Sequence, residues 1–435
     1  MNSKSDRDQQ NAQRLSASVR SGVGDEIKVS LLTGGSDRPY VYGLTNALLS
    51  KSARLDIIGS DELNDPEICN KLGVNFLNLR GDQRSGVTFR TKISRITSYY
   101  SKLIRYAATA KPRIFHILWN NNFETFDRTL LMIYYKLLGK KVTLTAHNVN
   151  IAARDHNDSA FNRLTLRIQY RLADHIFVHT EMMKSELVKA FRVRATRVTV
   201  IPFGINNSVP NTQLTPSEAR RKLDIRSDEK TILFFGRIKP YKGLEYLIAA
   251  SRRLPAKRDD YRLMVVGSLD ALNGDQYNNA IRDAIRVDVP GVRTLLRAEF
   301  VPDKEIESYF KAADLLVLPY TDVYQSGVLF LAHSFGLPVL VADVGSLKDD
   351  IVEGKTGFVF KPQDPIDLAR AIEQYFASDL YANLDCRRQE IKDYARERHS
   401  WDLVGRVTMG VYAGLLRHGT RKLADRDAPS ISVSD

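Results

Sequence analysis

Short apolar runs alternate with longer stretches of helical periodicity along most of the chain. IKVSLLTGG (27–35) reads as a strand running into a double-glycine turn. LDIIGS (55–60), IFHILW (114–119), KVTLTAH (141–147), HIFVH (175–179) and RVTVIPFG (197–204) continue the strand series. Between them, 91–109, 127–138 and 160–173 carry the helical pattern. After a polar, proline-bearing stretch at 205–217 the alternation restarts with TILFFG (231–236), YRLMVVGS (261–268) and TLLRAEFV (294–301). DLLVLPY (314–320), LPVLVAD (337–343) and GFVF (357–360) follow, then helical patterns at 364–376, 384–397 and 401–417. Strand alternating with helix predicts parallel sheets covered on both faces. The class expected is α/β, with two doubly wound, Rossmann-like domains facing across a cleft. The domains are 27–204 and 218–400, joined by a linker at 205–217. A last helix, 401–418, is expected to pack back on the first domain. Residues 1–26 and 419–435 are polar and read as disordered tails.

One stretch carries chemistry on its face. In TILFFGRIKPYKGLEYLIAA (231–250), Arg237 and Lys242 stand at the carboxyl end of a strand and before a helix. Ligands of open α/β sheets bind at that edge. Two cations beside free helix amides suit a diphosphate. Gly34 and Gly35 end the first strand and permit close backbone approach to a phosphate or sugar oxygen. His147 ends a strand of the first domain, where it is able to donate a hydrogen bond to a sugar hydroxyl or an acceptor. Ser326-Gly327, before VLFLAHSFG, reads as a helix N-cap aimed at the same ligand.

Charge divides the chain. Residues 1–200 hold 31 Lys+Arg against 18 Asp+Glu, whereas residues 201–435 hold 33 of each, so the net +13 lies in the first half. That half is drawn to something anionic. RTKISRITSYYSKLIRYAATAKPR (90–113) interleaves cations with Ile, Leu and Tyr at helical spacing. Arg95, Lys102 and Arg105 are the candidate contacts with anionic headgroups, with Tyr99, Tyr100, Leu103, Ile104 and Tyr106 in the interfacial layer. KLLGKK (136–141) adds to the same charge. No nucleic-acid reading motif accompanies the basic half, so no nucleic-acid partner is expected. Apolar runs are too short for a membrane span. The polar start has no secretory pattern. With only Cys69 and Cys386, neither a disulfide framework nor a zinc site is expected, and a reducing cytoplasm fits. The two Asp-x-Asp pairs, Asp6/Asp8 and Asp425/Asp427, fall in the tails, so no metal is expected.

LLTGG (31–35), TAHN (145–148), VIPFGI (200–205), GRIKPYKG (236–243), AADLLVLPY (312–320), SFGLPVLVADVGS (334–346) and VEGKTGFVF (352–360) occur in order. This series resembles the retaining glycosyltransferases of family four, which have the GT-B fold. The resemblance covers about 27–417. It implies transfer of a hexose from a nucleoside diphosphate sugar, UDP- or GDP-linked, with no cofactor and no metal. The implied acceptor is lipid-linked or a polysaccharide, reached from the cytoplasmic face of an anionic membrane by a peripheral protein. A second implied reading is a non-catalytic component of polysaccharide assembly.

The resemblance gives the residues roles. Arg237 and Lys242 correspond to the diphosphate pair, and His147 to the strand-end histidine of the first domain. Gly35, Gly267, Phe300, Val301, Gln325, Ser326 and Gly327 correspond to donor-binding positions, with Gly267 and the 300–301 strand end reading the base by their backbone. The family's two glutamates, eight positions apart, fall here on Val323 and Leu331, neither of which accepts a hydrogen bond. Asp322 and Gln325 are the nearest substitutes.

Overall fold

Continuous burial, rather than alternation, marks the central strands. The computed structural model of the chain describes residues 26–424 apart from 35–36, 85, 122, 156, 207–208, 256–259, 270–273 and 288. Seven parallel strands form the first sheet: β1 (Lys28–Leu32), β2 (Arg54–Gly59), β3 (Val74–Asn78), β4 (Ile114–Ile117), β5 (Lys141–Thr145), β6 (His175–Val178) and β7 (Val198–Val200). Their order is β3-β2-β1-β4-β5-β6-β7. The second sheet has β8 (Lys230–Phe235), β9 (Tyr261–Val266), β10 (Val292–Arg297), β11 (Leu315–Leu318), β12 (Val339–Ala342) and β13 (Gly357–Phe360). Its order is β10-β9-β8-β11-β12-β13, again all parallel. β4, β6, β11 and β12 are buried at every residue, as strands covered on both faces must be.

Each sheet has a core on either side because successive side chains point to opposite faces. Leu31 and Ile57 enter the core shared with the helix Arg38–Leu49, whereas Leu32 and Ile58 enter the core shared with the helix Phe89–Thr109. β3 is an addition to the pattern read from sequence. It is the outermost strand, and VNFLN is only half buried, so no apolar run announces it.

The helix Trp401–Ala424 crosses back to the first domain. Trp401 Nε1 donates to the Ile205 carbonyl at 2.7 Å. The indole lies flush on two glycines: a Cβ on Gly43 or Gly204 would come within 2.0 or 2.3 Å of it. Farther along, the Tyr412 hydroxyl meets His116 Nδ1 at 2.5 Å.

Residues 209–217 of the linker are fastened to the second domain. Thr212 N donates to Glu307 Oε1 at 2.6 Å, and Lys311 Nζ donates to the Thr212 carbonyl at 2.6 Å. Val209 is buried in the second domain's core, and Thr215 caps the helix Pro216–Lys222 in a capping box with Glu218. Its polar side chains serve docking and capping rather than solvation.

The amphipathic reading of 90–113 also needs correction. Tyr99 and Leu103 are buried in the first domain's core. Tyr100 donates to Asp127 at 2.8 Å, and Tyr106 to Asp56 at 2.6 Å. Arg95 is turned to Asp82 at 2.9 Å. Lys102, Ile104 and Arg105 remain exposed. In KLLGKK, Lys136 pairs with Asp174 and Lys140 turns inward to the Ala110 and Pro112 carbonyls.

Candidate active site in the interdomain cleft

Strand order reverses between β8 and β11, and a crevice opens where the strands on either side diverge. β8 runs out at Phe235, and Gly236 follows with φ +104°. Gly267, after β9, packs so closely that a Cβ on it would lie 2.1 Å from the Gly236 carbonyl oxygen. The turn Pro240–Lys242 then ends at Gly243, in the left-handed region at φ +63°. A Cβ there would come within 2.0 Å of the Pro319 carbonyl oxygen, at the end of β11. These glycines draw the 236–243 loop tightly over the crevice and fix Lys242 within it.

Lys242 is 8% exposed. Its Nζ lies 5.4 Å from the centre of the Tyr320 ring, and a Cβ on Gly236 would approach that nitrogen to 2.9 Å. Among the described residues no carboxylate pairs with it. Burial holds its ammonium below the usual lysine value. Tyr241 opposes that shift, and the cations Arg237, Lys239 and Arg154 add to it. A buried charge without a counter-ion is costly, and a bound anion removes the cost. Arg237 stands on the same loop and is exposed.

A cavity of about 370 Å³ lies between the domains, and Lys242, Gln325, Ser326 and Gly327 line one wall. Asp37, Tyr40 and Trp401 line the other. Ser326 occupies the N-cap position of the helix Gly327–Ser334, yet its side chain makes no cap bond. It lies 3.3 Å from the Tyr320 hydroxyl instead. The helix amides are therefore not taken by that side chain. Gln325 Oε1 is buried and has no hydrogen-bond partner among the described residues. Val323 and Leu331 are buried and present apolar surface to the same cavity.

The remaining donor-site candidates fare unequally. Gly35 lies outside the described residues. The Gly267 amide already donates to the Arg297 carbonyl at 2.9 Å, which leaves its carbonyl as the group able to meet a base. β10 ends at Arg297, so Phe300 and Val301 lie beyond the strand rather than at its end. Phe300 is 74% exposed and Val301 is buried in the core, and neither lines the cavity.

His147 stands two residues beyond β5. Its ring stacks on Trp119 at 4.2 Å between centroids and 4° between planes, and Tyr40 meets it edge-on at 4.6 Å. Burial and the neighbouring His179 and His116 push its pKa well below the usual histidine value, so the ring is neutral. The hydrogen-bond chain assigns its tautomer. The Ile201 carbonyl only accepts, so His179 Nδ1, 3.3 Å away, carries a proton. His179 is itself neutral, its pKa lowered to about 4 by burial, so its Nε2 accepts. His147 Nδ1, 3.1 Å from that nitrogen, is then the donor. His147 Nε2, buried and unpartnered, is left as an acceptor. The sequence reading had it donating; the structure leaves Nε2 as a hydrogen-bond acceptor. It lines a separate cavity of about 140 Å³ with Trp119, Asn120 and Arg128, and Tyr40 stands between that cavity and the interdomain one.

Tyr40, Trp119, Tyr241, Tyr320 and Trp401 escaped the sequence reading. Trp119 and Tyr320 close apolar strand runs and look like core, whereas Tyr40, Tyr241 and Trp401 stand in helices or a turn, and only the fold brings the five to the cavities. Among the described residues no group of His, Cys, Asp and Glu is arranged to hold a metal ion. No described helix is long and apolar enough to cross a membrane.

Comparison with known proteins agrees with this architecture. The chain is 26% identical over 231 residues to the D-inositol 3-phosphate glycosyltransferase of Thermobispora bispora, a match covering 52% of this chain and 53% of the relative. The chain spans about half the length of the curated relatives it matches. Sucrose-phosphate synthase from Thermosynechococcus elongatus superposes with a TM-score of 0.71 at 18% identity, covering 90% of this chain and all of that one. Anabaena HepE, in complex with UDP-glucose, superposes with a TM-score of 0.67 at 17% identity, covering 89% of this chain and all of that one. These likenesses establish the GT-B fold. The sequence model of Glycosyltransferase Family 4 matches residues 38–209 and that of Glycosyl transferases group 1 matches residues 216–398, so the chain belongs to the group 1 glycosyltransferases, with a family 4 first domain.

Proposed function

We propose that the protein is a retaining, metal-independent glycosyltransferase that moves a hexose from a nucleoside diphosphate sugar to a lipid-linked or polysaccharide acceptor. The observation that carries this reading is Lys242, a buried cation without a carboxylate partner at the switch point of the second sheet. A diphosphate supplies the missing counter-charge. When the bond between the anomeric carbon and the phosphate oxygen breaks, negative charge grows on that oxygen, and Lys242 and Arg237 stabilise it more than the ground state. The acceptor oxygen bonds to the anomeric carbon on the face the phosphate leaves, and its proton passes to the departing phosphate. Configuration is thereby retained without a protein nucleophile. His147 Nε2 accepts a hydrogen bond from a sugar or acceptor hydroxyl.

The donor is UDP- or GDP-linked, in keeping with the UDP-glucose complex of Anabaena HepE. The protein works as a peripheral protein on the cytoplasmic face of an anionic membrane. Exposed Lys102 and Arg105, with Leu130 and Leu137 at 61% and 80% exposure on the adjoining segment, support that attachment. A second reading, a non-catalytic assembly component, draws on Val323 and Leu331, which give the cavity wall no acceptor.

The test is a screen of UDP-glucose, GDP-mannose and related donors for nucleoside diphosphate release on bacterial lipid extract. Release that requires both donor and extract, and that Lys242→Met abolishes, supports transfer. Nucleoside diphosphate binding without any release favours the assembly component.

A further inference from the structure

The cavity on the far side of Tyr40 is furnished for a ligand of its own. It lies at the carboxyl ends of β4 and β5 and holds about 140 Å³. One ordered water needs only about 10–15 Å³, an order of magnitude less. Two buried polar atoms of its lining residues have no hydrogen-bond partner among the described residues: His147 Nε2 and Arg128 Nε. The first accepts and the second donates. Beside them Asn120 and Gln169 exchange two hydrogen bonds. Gln169 Nε2 donates to Asn120 Oδ1 at 2.7 Å, and Asn120 Nδ2 donates to Gln169 Oε1 at 3.3 Å. Each amide keeps one N–H and one carbonyl lone pair for a further partner. Trp119, stacked on His147, adds apolar surface to the lining.

Charge narrows what fits. The charged side chains among the described lining residues are Glu124 and Arg128, and they pair with each other through Nη2. Nη1 donates to Asn162 Oδ1 at 2.9 Å. This guanidinium is balanced before any ligand arrives, unlike the buried ammonium of Lys242 in the neighbouring cavity. An anion entering here sheds its hydration and meets no free counter-charge to offset the loss. It also sets lone pair against lone pair at His147 Nε2, because an ionised phosphate or carboxylate oxygen has no proton to give. A hydroxyl suits every group present. It donates to the ring nitrogen, and it accepts from Arg128 Nε or an amide N–H. Apolar surface with a few such polar groups is what orients a small polar ring.

We propose that this cavity binds the uncharged sugar ring that ends the acceptor, and that it excludes phosphorylated and uronic sugars. The inference rests on the transferase reading and deepens it by naming the class of acceptor group. It places the reaction after one that has already attached a neutral sugar, so that the protein extends a glycan rather than starting one on a phosphate.

Saturation-transfer NMR on the full chain, with no donor present, tests it. The neutral probes are the methyl glycosides of glucose, galactose and mannose. The charged probes are glucose 6-phosphate, mannose 6-phosphate and glucuronate. At least one neutral probe is expected to bind, with its charged counterpart about tenfold weaker or more. Gln169→Leu removes one amide and strands Asn120, and should weaken the neutral probe about tenfold. The Glu124 side chain is 53% exposed, so Glu124→Gln disturbs the fold little while freeing the charge of Arg128. It should raise affinity for glucose 6-phosphate relative to methyl glucoside about tenfold. Thermal melting without sugar controls for folding in both variants. A charged probe that binds as tightly as its neutral counterpart overturns the inference. So does the absence of binding by every neutral probe at about 50 mM. Neutral binding that a folded Gln169→Leu leaves within about twofold lies elsewhere in the molecule and overturns it too, as does a Glu124→Gln variant with unmoved preference. The two readings fail separately. A failed donor reading shows as sugar binding without nucleoside diphosphate release, and a failed sugar pocket leaves that release intact.

Discussion

The crevices of the two sheets share a backbone device and differ in chemistry. In the first, between β1 and β4, Gly34 has φ +56°, and a Cβ on it would lie 1.9 Å from the Trp119 carbonyl oxygen. In the second, between β8 and β11, Gly243 stands in the same relation to the Pro319 carbonyl. Each glycine brings a loop hard against the end of the facing strand. The first crevice then fills with rings, as Tyr40, Trp119, His147, His179, Phe203 and Trp401 pack against one another. The second keeps a buried ammonium. One topology thus yields a neutral pocket with an unpartnered ring nitrogen and a cationic one. The fold decides where a ligand sits, and a few side chains decide what charge it carries.

The sharpest way to break this comparison is to remove the ammonium. Lys242→Met is expected to lower nucleoside diphosphate release by about 10²–10³-fold, the scale of losing one transition-state charge contact. The variant should unfold at the same or higher denaturant concentration, because an uncompensated buried charge is gone. Release within tenfold of the unaltered rate would leave the second crevice without its special role.

The shared backbone device is tested next. Gly34→Ala and Gly243→Ala should each cost about 2–4 kcal/mol in denaturant unfolding, since both combine left-handed strain with a carbonyl clash. A cost below ~1 kcal/mol at either position would end the parallel between the crevices.

Acid should separate the domains. Burial lowers His116 to about 3, and His175 and His179 to about 4; His147 moves the same way, and all four lie in the first domain. In the second domain His333 is lowered to about 4. A histidine held neutral in the fold takes up its proton more readily when unfolded. Its stabilisation is complete above the unfolded value, about 6.5, and is lost as pH falls toward the folded value, each unit counting about 1.4 kcal/mol. The first domain should therefore open first between about pH 6.5 and 4. The only two tryptophans, Trp119 and Trp401, both report on that domain. Their fluorescence should change at higher pH than hydrogen exchange in β11 and β12. The reverse order would show that other groups govern acid stability.

The smallest expected effect concerns the basic face. Lys102→Ala should weaken binding to anionic vesicles by about 1 kcal/mol, or roughly fivefold. Arg95→Ala should leave it unchanged, because Asp82 already holds that guanidinium. Equal effects would restore Arg95 to the membrane-facing set.

Sequence carried much of this, for identifiable reasons. Strands buried on both faces leave short, mostly apolar runs, so β1, β4, β5, β6 and β8 were legible, and with them the parallel α/β class. β3 was not, since an edge strand with Asn75 and Asn78 leaves no such run. Lys242 was legible for another reason: with Arg237 it places two cations between the end of a strand and the start of a helix. Ser326 sat at the expected helix start, but its rotamer depends on Tyr320, six positions earlier. Phe300 and Val301 were misplaced because the end of β10 depends on its neighbour β9, not on local hydrophobicity.

Period and polarity along the chain determined the two doubly wound domains, the location of the net charge and the loop that bears Arg237 and Lys242. Those properties are local, or sums of local ones. Tertiary structure alone decided that 209–217 is fastened to the second domain, that Tyr99 and Leu103 face the core, and that His147 offers a lone pair rather than a proton. It alone brought Asn120 against Gln169. Each depends on partners far apart in the chain, and burial, tautomer and charge pairing are properties of such partners rather than of the residue.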